Sequence, residues 1–378
     1  MKTINRFWIM ALAFALLAQA APTQSVELRG LNDWKDGKSE GASLDNEGVL
    51  RRGYAFEKIA ELPARVLWEG SVDSDGNFYA ASTQPSALWK MTPSGKVEKL
   101  GETDSKLMRG LALDEKGNLY AGSDEGRIFR ADKKGVELFA KLEASYVWAI
   151  AYEGSPKRLW VATGLPAVLW NVSLQGKAEK ILELPQNHMT ALTLAEDGRI
   201  FMGSASPATV YERSKEGKTR VVFQSTAAEV RAMAMMDGEL FILTYGEVAG
   251  GASKPSKEEK PSEENSAPMG SSALYRIDKA GVARKIWDGA SESLLTLKAE
   301  KGRLLLGGAK QGRLWSLTRE GEATALGQLG EGGDLVGIYP SQKSGYILLT
   351  NRPSGLFKAQ VAQEAEFISD AIGFDTPA

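Results

Sequence analysis

The stretch Lys116-Gly117-Asn118-Leu119-Tyr120 decides the fold, because variants of it recur along most of the chain. Each copy places a turn, usually with glycine, directly before an apolar segment typical of a β-strand. The other copies are Asp75-Gly76-Asn77-Phe78-Tyr79, Lys157-Arg158-Leu159-Trp160, Asp197-Gly198-Arg199-Ile200-Phe201, Asp237-Gly238-Glu239-Leu240-Phe241, Lys301-Gly302-Arg303-Leu304-Leu305 and Ser344-Gly345-Tyr346-Ile347. The spacing is about 40 residues, which is the range of repeat architectures. One step is longer, and it encloses residues 247–270.

A second marker, an aromatic residue after an aliphatic one, keeps the same spacing. It falls at Trp89, Phe129, Trp170, Tyr211, Tyr275, Trp315 and Phe357. Two markers in one register make chance similarity a poor explanation. Each repeat also holds four strand-like segments separated by turns, and four strands per ~40 residues are typical of a β-propeller blade.

The repeats therefore predict an all-β fold, a seven-bladed β-propeller with four-stranded antiparallel blades over residues 44–362. The seventh repeat ends after three strands, near Leu356-Phe357-Lys358. The segment Tyr54–Ile59 precedes the first blade and resembles a fourth strand. We predict that it completes the last blade and closes the ring, which removes an exposed strand edge.

The N-terminus has the pattern of a secretory signal peptide over residues 1–20. Lys2 and Arg6 precede the apolar run Phe7–Ala18, and Ala18-Gln19-Ala20 fits a cleavage site. The alternative is an uncleaved membrane anchor, but the run is shorter than the ~20 residues that span a bilayer. We expect a secreted or periplasmic protein with no integral membrane segment after signal cleavage.

Three further segments fall outside the repeats. Residues 21–43 are polar without periodicity, and we expect an irregular leader there. Residues 247–270 hold a tract rich in Pro, Ser, Lys and Glu, which predicts a disordered insertion in blade five. It is either a neutral surface loop or a lid or docking arm over one face. Residues 363–378 form a C-terminal tail.

Composition excludes several classes of function. The formal net charge is −2, so no basic field favours nucleic acid, and we expect no nucleic-acid partner. With no cysteine, the chain cannot form disulfides, thiolate metal sites or cysteine nucleophiles. His188 is the single histidine, which removes most histidine-based metal centres and catalytic triads. No motif predicts a cofactor, a metal site or a catalytic residue.

From about residue 44 to its end, the chain resembles a family of uncharacterised, exported bacterial β-propeller proteins described as WD40-like. The matching segments are Tyr120-Ala121-Gly122-Ser123, Tyr146-Val147-Trp148-Ala149, Glu229-Val230-Arg231-Ala232-Met233, Leu274-Tyr275-Arg276-Ile277 and Leu349-Thr350-Asn351-Arg352-Pro353. The Gly-His and Trp-Asp pairs of true WD40 repeats are missing at repeat spacing. The resemblance implies a β-sandwich module after the propeller, opening near Glu366–Ala371. We expect either truncation of a longer protein or a tail that folds against the rim.

The candidate ligand site lies on the face where the loops between second and third strands meet the loops between blades. Its residues are Arg109, Tyr146, Trp148, His188, Glu229 and Arg231. They combine charge, hydrogen bonding and aromatic surface, which suits a polar, sugar-like or peptide ligand. Each also has a structural interpretation, since Trp148 could serve packing, His188 a loop hydrogen bond, and the charged residues one another.

One further motif, Asp73-Ser74-Asp75-Gly76-Asn77, resembles the start of a calcium loop. It lacks the spaced carboxylates and the distal glutamate, so we interpret it as the repeated hairpin turn.

Three functions remain open from the sequence, and one of them is the sensor module of a larger secreted protein. The first is a non-enzymatic binding or scaffolding propeller that recognises a protein, peptide or glycan through its loop face. The alternative is a propeller enzyme, a lactonase-like hydrolase or a lyase, with a divalent cation in the central channel, which only fold analogy supports.

Overall fold

The computed structural model describes residues 38–247, 271–289, 292–330, 332–341 and 345–368. Within these ranges the chain forms strands and turns, and no helix. The predicted signal peptide, residues 248–270 of the insertion and residues 369–378 of the tail lie outside the described residues. No described segment is a helix that could cross a membrane.

The strands are β1 (Lys38–Glu40), β2 (Ala42–Asp45), β3 (Leu50–Arg52), β4 (Tyr54–Glu61), β5 (Val66–Val72), β6 (Phe78–Thr83), β7 (Ala87–Met91), β8 (Val97–Glu102), β9 (Met108–Leu113), β10 (Leu119–Ser123), β11 (Arg127–Asp132), β12 (Gly135–Lys141), β13 (Tyr146–Gly154), β14 (Lys157–Gly164), β15 (Val168–Ser173), β16 (Ala178–Glu183), β17 (His188–Leu194), β18 (Ile200–Ala205), β19 (Thr209–Arg213), β20 (Thr219–Gln224), β21 (Ala227–Met236), β22 (Glu239–Glu247), β23 (Ser272–Ile277), β24 (Ala283–Gly289), β25 (Leu294–Glu300), β26 (Arg303–Gly308), β27 (Leu314–Leu317), β28 (Ala323–Gly327), β29 (Asp334–Pro340), β30 (Tyr346–Asn351), β31 (Gly355–Val361) and β32 (Glu366–Ile368).

Most of these strands pair as antiparallel groups of four, which we call units 1 to 7. Units 1 to 6 take consecutive strands from β5 to β28. Unit 7 combines β29, β30 and β31 with β4, the strand predicted from Tyr54–Ile59, and Phe357 lies opposite Lys58. The first strands of successive units contact one another in chain order, and β29 contacts β5. The units are therefore arranged side by side, and the last lies beside the first.

Short strands from the two ends of the described chain add to this arrangement. The hairpin β2–β3 pairs with β28, the outer strand of unit 6, and β1 pairs with β32. The sequence predicted an irregular leader as far as Ser43, and its described end differs, because it forms β1 and the start of β2. Ala42 and Leu44 are buried there, and the outer edge of β28 offers backbone partners.

Apolar contacts between neighbouring units build the core. The second strands carry nearly continuous apolar or small residues, and β10 is buried at every position. One cluster joins unit 7 to unit 1 through residues such as Leu349, Leu67 and Phe78. Of the seven marker aromatics, four are buried, namely Trp89, Phe129, Trp170 and Trp315; Tyr211, Tyr275 and Phe357 are partly buried against the same clusters.

The turn between β5 and β6 uses its acidic residue internally. Asp73 Oδ1 accepts hydrogen bonds from the backbone N–H of Asp75 (3.0 Å) and Asn77 (2.8 Å). Asp73 Oδ2 accepts one from Asn77 Nδ2 (2.8 Å) and one from the Tyr79 hydroxyl (3.0 Å). Asp114 accepts the equivalent four bonds in unit 2. This carboxylate therefore holds the turn, as the hairpin interpretation of the motif predicted.

Replacing this carboxylate should destabilise the fold. Asp73→Ala leaves four donors without their acceptor and is expected to lower the free energy of unfolding by about 2 kcal/mol. Denaturant unfolding measures the change, with Asp75→Ala as the control because its side chain is exposed in the same turn. Equal stability of the two variants would contradict this account of the turn.

Candidate functional site

A β-bulge in the first strand of each unit builds the centre of the site. Each first strand carries a fully buried aliphatic residue or methionine and then one extra residue relative to its partner strand, so the local side-chain direction changes. The extra residues are Trp68, Trp148, Thr190, Arg231, Leu295 and Val336. In unit 2 the extra residue is Gly110, and Arg109 precedes it. These positions, with Arg109 representing unit 2, line one cavity of about 1140 Å³.

The cavity reaches the loop face, which we define by the loops between second and third strands and the loops between units. The two kinds of loop are joined by backbone hydrogen bonds, such as that from Glu125 to Ser145. Arg65, Gln84 and Arg352 from this face line the cavity. The lining from units 1 to 3 includes Trp68, Arg109 and Trp148, and the lining from units 6 and 7 includes the apolar Leu295, Val336 and Ile338.

Arg109 lies between two tryptophans of the neighbouring units. Its guanidinium carbon is 5.4 Å from the ring centroid of Trp68 and 5.3 Å from that of Trp148. Burial and the nearby Arg231 together lower the pKa of Arg109 to about 10, so it stays protonated at neutral pH. Within the described residues, no hydrogen-bond acceptor or ion-pair partner binds its guanidinium. The contacts with the two tryptophan rings therefore position the guanidinium.

Trp148 is held on its other side by two aromatic neighbours. The Tyr146 ring stacks on it at 4.9 Å between centroids, and Trp148 Nε1 donates a hydrogen bond to His188 Nδ1 at 3.0 Å. The His188 ring accepts this bond through an unprotonated nitrogen, and burial lowers its pKa, so the ring is neutral at neutral pH. Gly164 permits this approach, since a Cβ there would lie 2.2 Å from Trp148 Nε1.

Arg231, in contrast to Arg109, has a carboxylate partner. Glu229 Oε1 accepts a hydrogen bond from Arg231 Nη1 at 3.1 Å, and the two side chains are about one-fifth exposed. The Arg231 guanidinium also lies 5.9 Å from the Tyr245 ring centroid. This pair places both signs of charge beside Arg109.

The structure thus brings the six predicted residues close together, but only some of them line the cavity. Arg109, Trp148 and Arg231 line the cavity, whereas Tyr146 and His188 support Trp148 and Glu229 pairs with Arg231. Sequence reasoning missed Trp68, although it follows buried Leu67 just as Arg109 follows Met108. An alignment of the repeats would have identified Trp68, because it occupies the same position in its repeat as Arg109 does.

Glu69 is a second cavity residue that the sequence analysis missed. Burial raises the pKa of its carboxyl to about 7, and the charge of Arg109 only partly opposes this. Its Oε2 accepts a hydrogen bond from the backbone N–H of Leu111 at 3.2 Å. Nearby, the Tyr339 hydroxyl accepts one from the Gly70 backbone at 2.7 Å, and burial together with Glu69 raises the pKa of Tyr339. The cavity therefore holds one carboxyl that titrates near neutrality.

No group of three or more Asp, Glu, His or Cys side chains in the described ranges is arranged to hold a metal ion.

Comparison with known proteins identifies the architecture. A profile of the strictosidine synthase-like N-terminal family matches residues 110–131 only. A search of curated protein sequences finds no match. Among solved structures, a streptogramin B lyase is similar over 82% of this chain and 98% of its own, at 13% identity and a TM-score of 0.65. YCF48 bound to a D1 peptide is similar over 83% of this chain and 96% of its own, at 12% identity and a TM-score of 0.58.

A third similar structure is the extracellular domain of BT4673 from B. thetaiotaomicron. The similarity covers 81% of this chain but 39% of that one, at 16% identity and a TM-score of 0.57. Identities this low establish the fold alone. The all-β architecture is that of a β-propeller, as the repeats predicted.

The pKa of Glu69 predicts a pH-dependent stability that a neutral side chain removes. Because the folded protein disfavours the charged carboxyl, its stability falls as the pH rises from about 5 to above 7, by up to about 3 kcal/mol. Glu69→Gln keeps a hydrogen-bond acceptor without the charge. It should therefore melt at a higher temperature than wild type at pH 8, and at a similar temperature at pH 5.

Thermal melting between pH 5 and pH 8 tests this prediction. Glu98→Gln is the matched control, because Glu98 lies exposed on outer strand β8. A Glu69→Gln protein whose difference from wild type stays constant over this pH range would contradict the assignment.

Proposed function

We propose that units 1 to 7 are the seven blades of a β-propeller over residues 44–362 and that β4 closes the ring in the last blade. The pairing of β4 with β31 and the contact between β29 and β5 support this proposal. We further propose that residues 1–20 direct export and are removed, so that the propeller acts outside the cytoplasm.

On this scaffold, the proposed function is non-enzymatic binding of a protein, peptide or glycan through the loop face. The observation that carries this proposal is the cavity formed by the bulged first strands. Its lining mixes two chemistries: Trp68, Arg109 and Trp148 come from units 1 to 3, and Leu295 and Val336 from units 6 and 7. A concave surface with an apolar wall and a few fixed polar groups suits a ligand with both characters.

A second candidate function is an enzyme, which one observation favours. Glu69 lies in the same cavity and titrates near neutrality, as general acid-base catalysis requires. Such a hydrolase or lyase would use Glu69 to move a proton on a ligand held by Arg109. Conversion of a bound compound is therefore the outcome that would replace the binding function with this one.

Filling the cavity should weaken binding. Ligands are selected on the mature protein, residues 21–378, from a randomised peptide library and a glycan array. Leu295→Trp places a large ring in the cavity and is expected to weaken the selected ligands at least 10-fold. Leu138→Trp is the control, because Leu138 is 54% exposed on outer strand β12.

Thermal melting of both variants establishes that they are folded before binding is compared. Equal affinity of the two variants would place the ligand elsewhere and overturn the cavity as the site. Mass spectrometry of the recovered ligand separates the two functions, because an intact ligand supports binding and a converted one supports the enzyme.

A further inference from the structure

We propose that Arg109 binds a carboxylate of a peptide ligand. This inference rests on the proposed binding function of the cavity. The ligand is a peptide whose carboxylate enters the cavity with an apolar side chain beside it. The carboxylate is either the C-terminus or an Asp or Glu side chain. The carboxylate would accept two hydrogen bonds from the planar guanidinium.

Arg109 differs from the other arginines that line the cavity, because those have hydrogen-bond partners. Arg65 Nη1 donates to Gln84 Oε1 at 3.2 Å, Arg231 Nη1 to Glu229 Oε1 at 3.1 Å, and Arg352 Nη2 to Asp334 Oδ1 at 2.8 Å. Arg109 has ring contacts but no acceptor within the described part of the chain. Since a half-buried guanidinium is stabilised by an anionic acceptor, the geometry leaves this position to a ligand.

The surrounding aromatic groups hold Arg109 and leave little surface for a sugar. Trp148 contacts Tyr146 and the Arg109 guanidinium, and its Nε1 is bonded to His188. The Nε1 of Trp68 donates to Thr83 Oγ1 at 3.1 Å. Glycan sites use free aromatic faces, but these two tryptophans fix an arginine. This use of the rings favours a peptide carboxylate over a neutral glycan.

The charges near Arg109 are compatible with an incoming anion. Glu69 and Glu229 attract Arg109, but neither forms an ion pair with it in the described residues, and Glu229 binds Arg231 instead. Burial keeps a large fraction of Glu69 protonated near pH 7, which limits its repulsion of a ligand carboxylate. The charge of Arg231 is balanced by its ion pair with Glu229 at 3.1 Å, so the attraction of an incoming anion rests on Arg109.

The apolar lining supplies the second part of the recognition. Leu295, Val336 and Ile338 line the same cavity from units 6 and 7, and all three are apolar. An apolar side chain next to the carboxylate would be removed from water there. Acidic peptides with a neighbouring aliphatic or aromatic residue fit both kinds of lining.

The first test uses the wild-type protein and needs no variant. Three hexapeptide libraries are compared by fluorescence polarisation at pH 7: free-acid peptides without Asp or Glu, amidated peptides with one Glu, and amidated peptides with Gln in its place. The proposal expects at least 10-fold tighter binding in one of the first two libraries than in the third. The stronger of the two identifies whether the carboxylate is terminal or from a side chain.

The second test uses variants on the best acidic peptide. Arg109→Gln is expected to weaken binding about 10- to 100-fold, and Arg109→Lys by less, because it keeps the charge without the planar pair of donors. Arg220→Gln is the control, since Arg220 lies on outer strand β20 with a side chain 70% exposed. Its binding should equal that of wild type.

The failures are distinguishable. Equal binding of acidic and amidated Gln peptides, lost in Leu295→Trp, overturns the carboxylate and keeps the proposed function. Binding of oligogalacturonate alone, also lost in Leu295→Trp, overturns the peptide and keeps the cavity. Absence of binding in every library and with the oligosaccharide overturns both proposals.

Discussion

The site depends on one local constraint, the burial of a single side chain in each first strand. Leu67, Met108, Val147 and their equivalents are fully buried between units, and the strand then gains one extra residue. The neighbouring units pack on the buried residue and fix its position. The extra residue of the bulge must therefore direct its side chain away from that interface. The repeated packing therefore fixes the type of the buried residue and leaves the type of the residue that follows it free to vary.

Freedom at these positions explains how one architecture carries an asymmetric cavity. The buried residue before each bulge is always aliphatic or methionine, whereas the bulged positions include tryptophan, threonine, arginine, leucine and valine. Units 1 to 5 contribute Trp68, Arg109, Trp148, Thr190 and Arg231 to the lining, and units 6 and 7 contribute Leu295 and Val336. The interfaces between units thus supply the stability, and the residues beside them, which vary from unit to unit, line the cavity.

The sequence predicted the architecture because the repeat spacing and the turn residues are local properties, and both recur in every repeat. Candidate residues such as Arg109 and Trp148 were predictable from their place near the start of first strands. Glu69 was not, because its properties arise from desolvation and from Arg109, which belongs to another unit. The pairing of β1 with β32 was equally out of reach, since neither three-residue strand has a periodic pattern of its own.

The pairing of β4 with β31 has a consequence for the order of folding. Tyr54–Glu61 is synthesised early, but its partner Gly355–Val361 is synthesised only after nearly the whole domain. At about 5–20 residues per second, this delay lasts tens of seconds. Until then the strand is an unpaired edge that other chains can join. Its charged residues, Glu57, Lys58 and Glu61, make the strand more soluble and oppose such association. The charges of β4 thus also protect its unpaired edge from association with other chains until β31 has been synthesised.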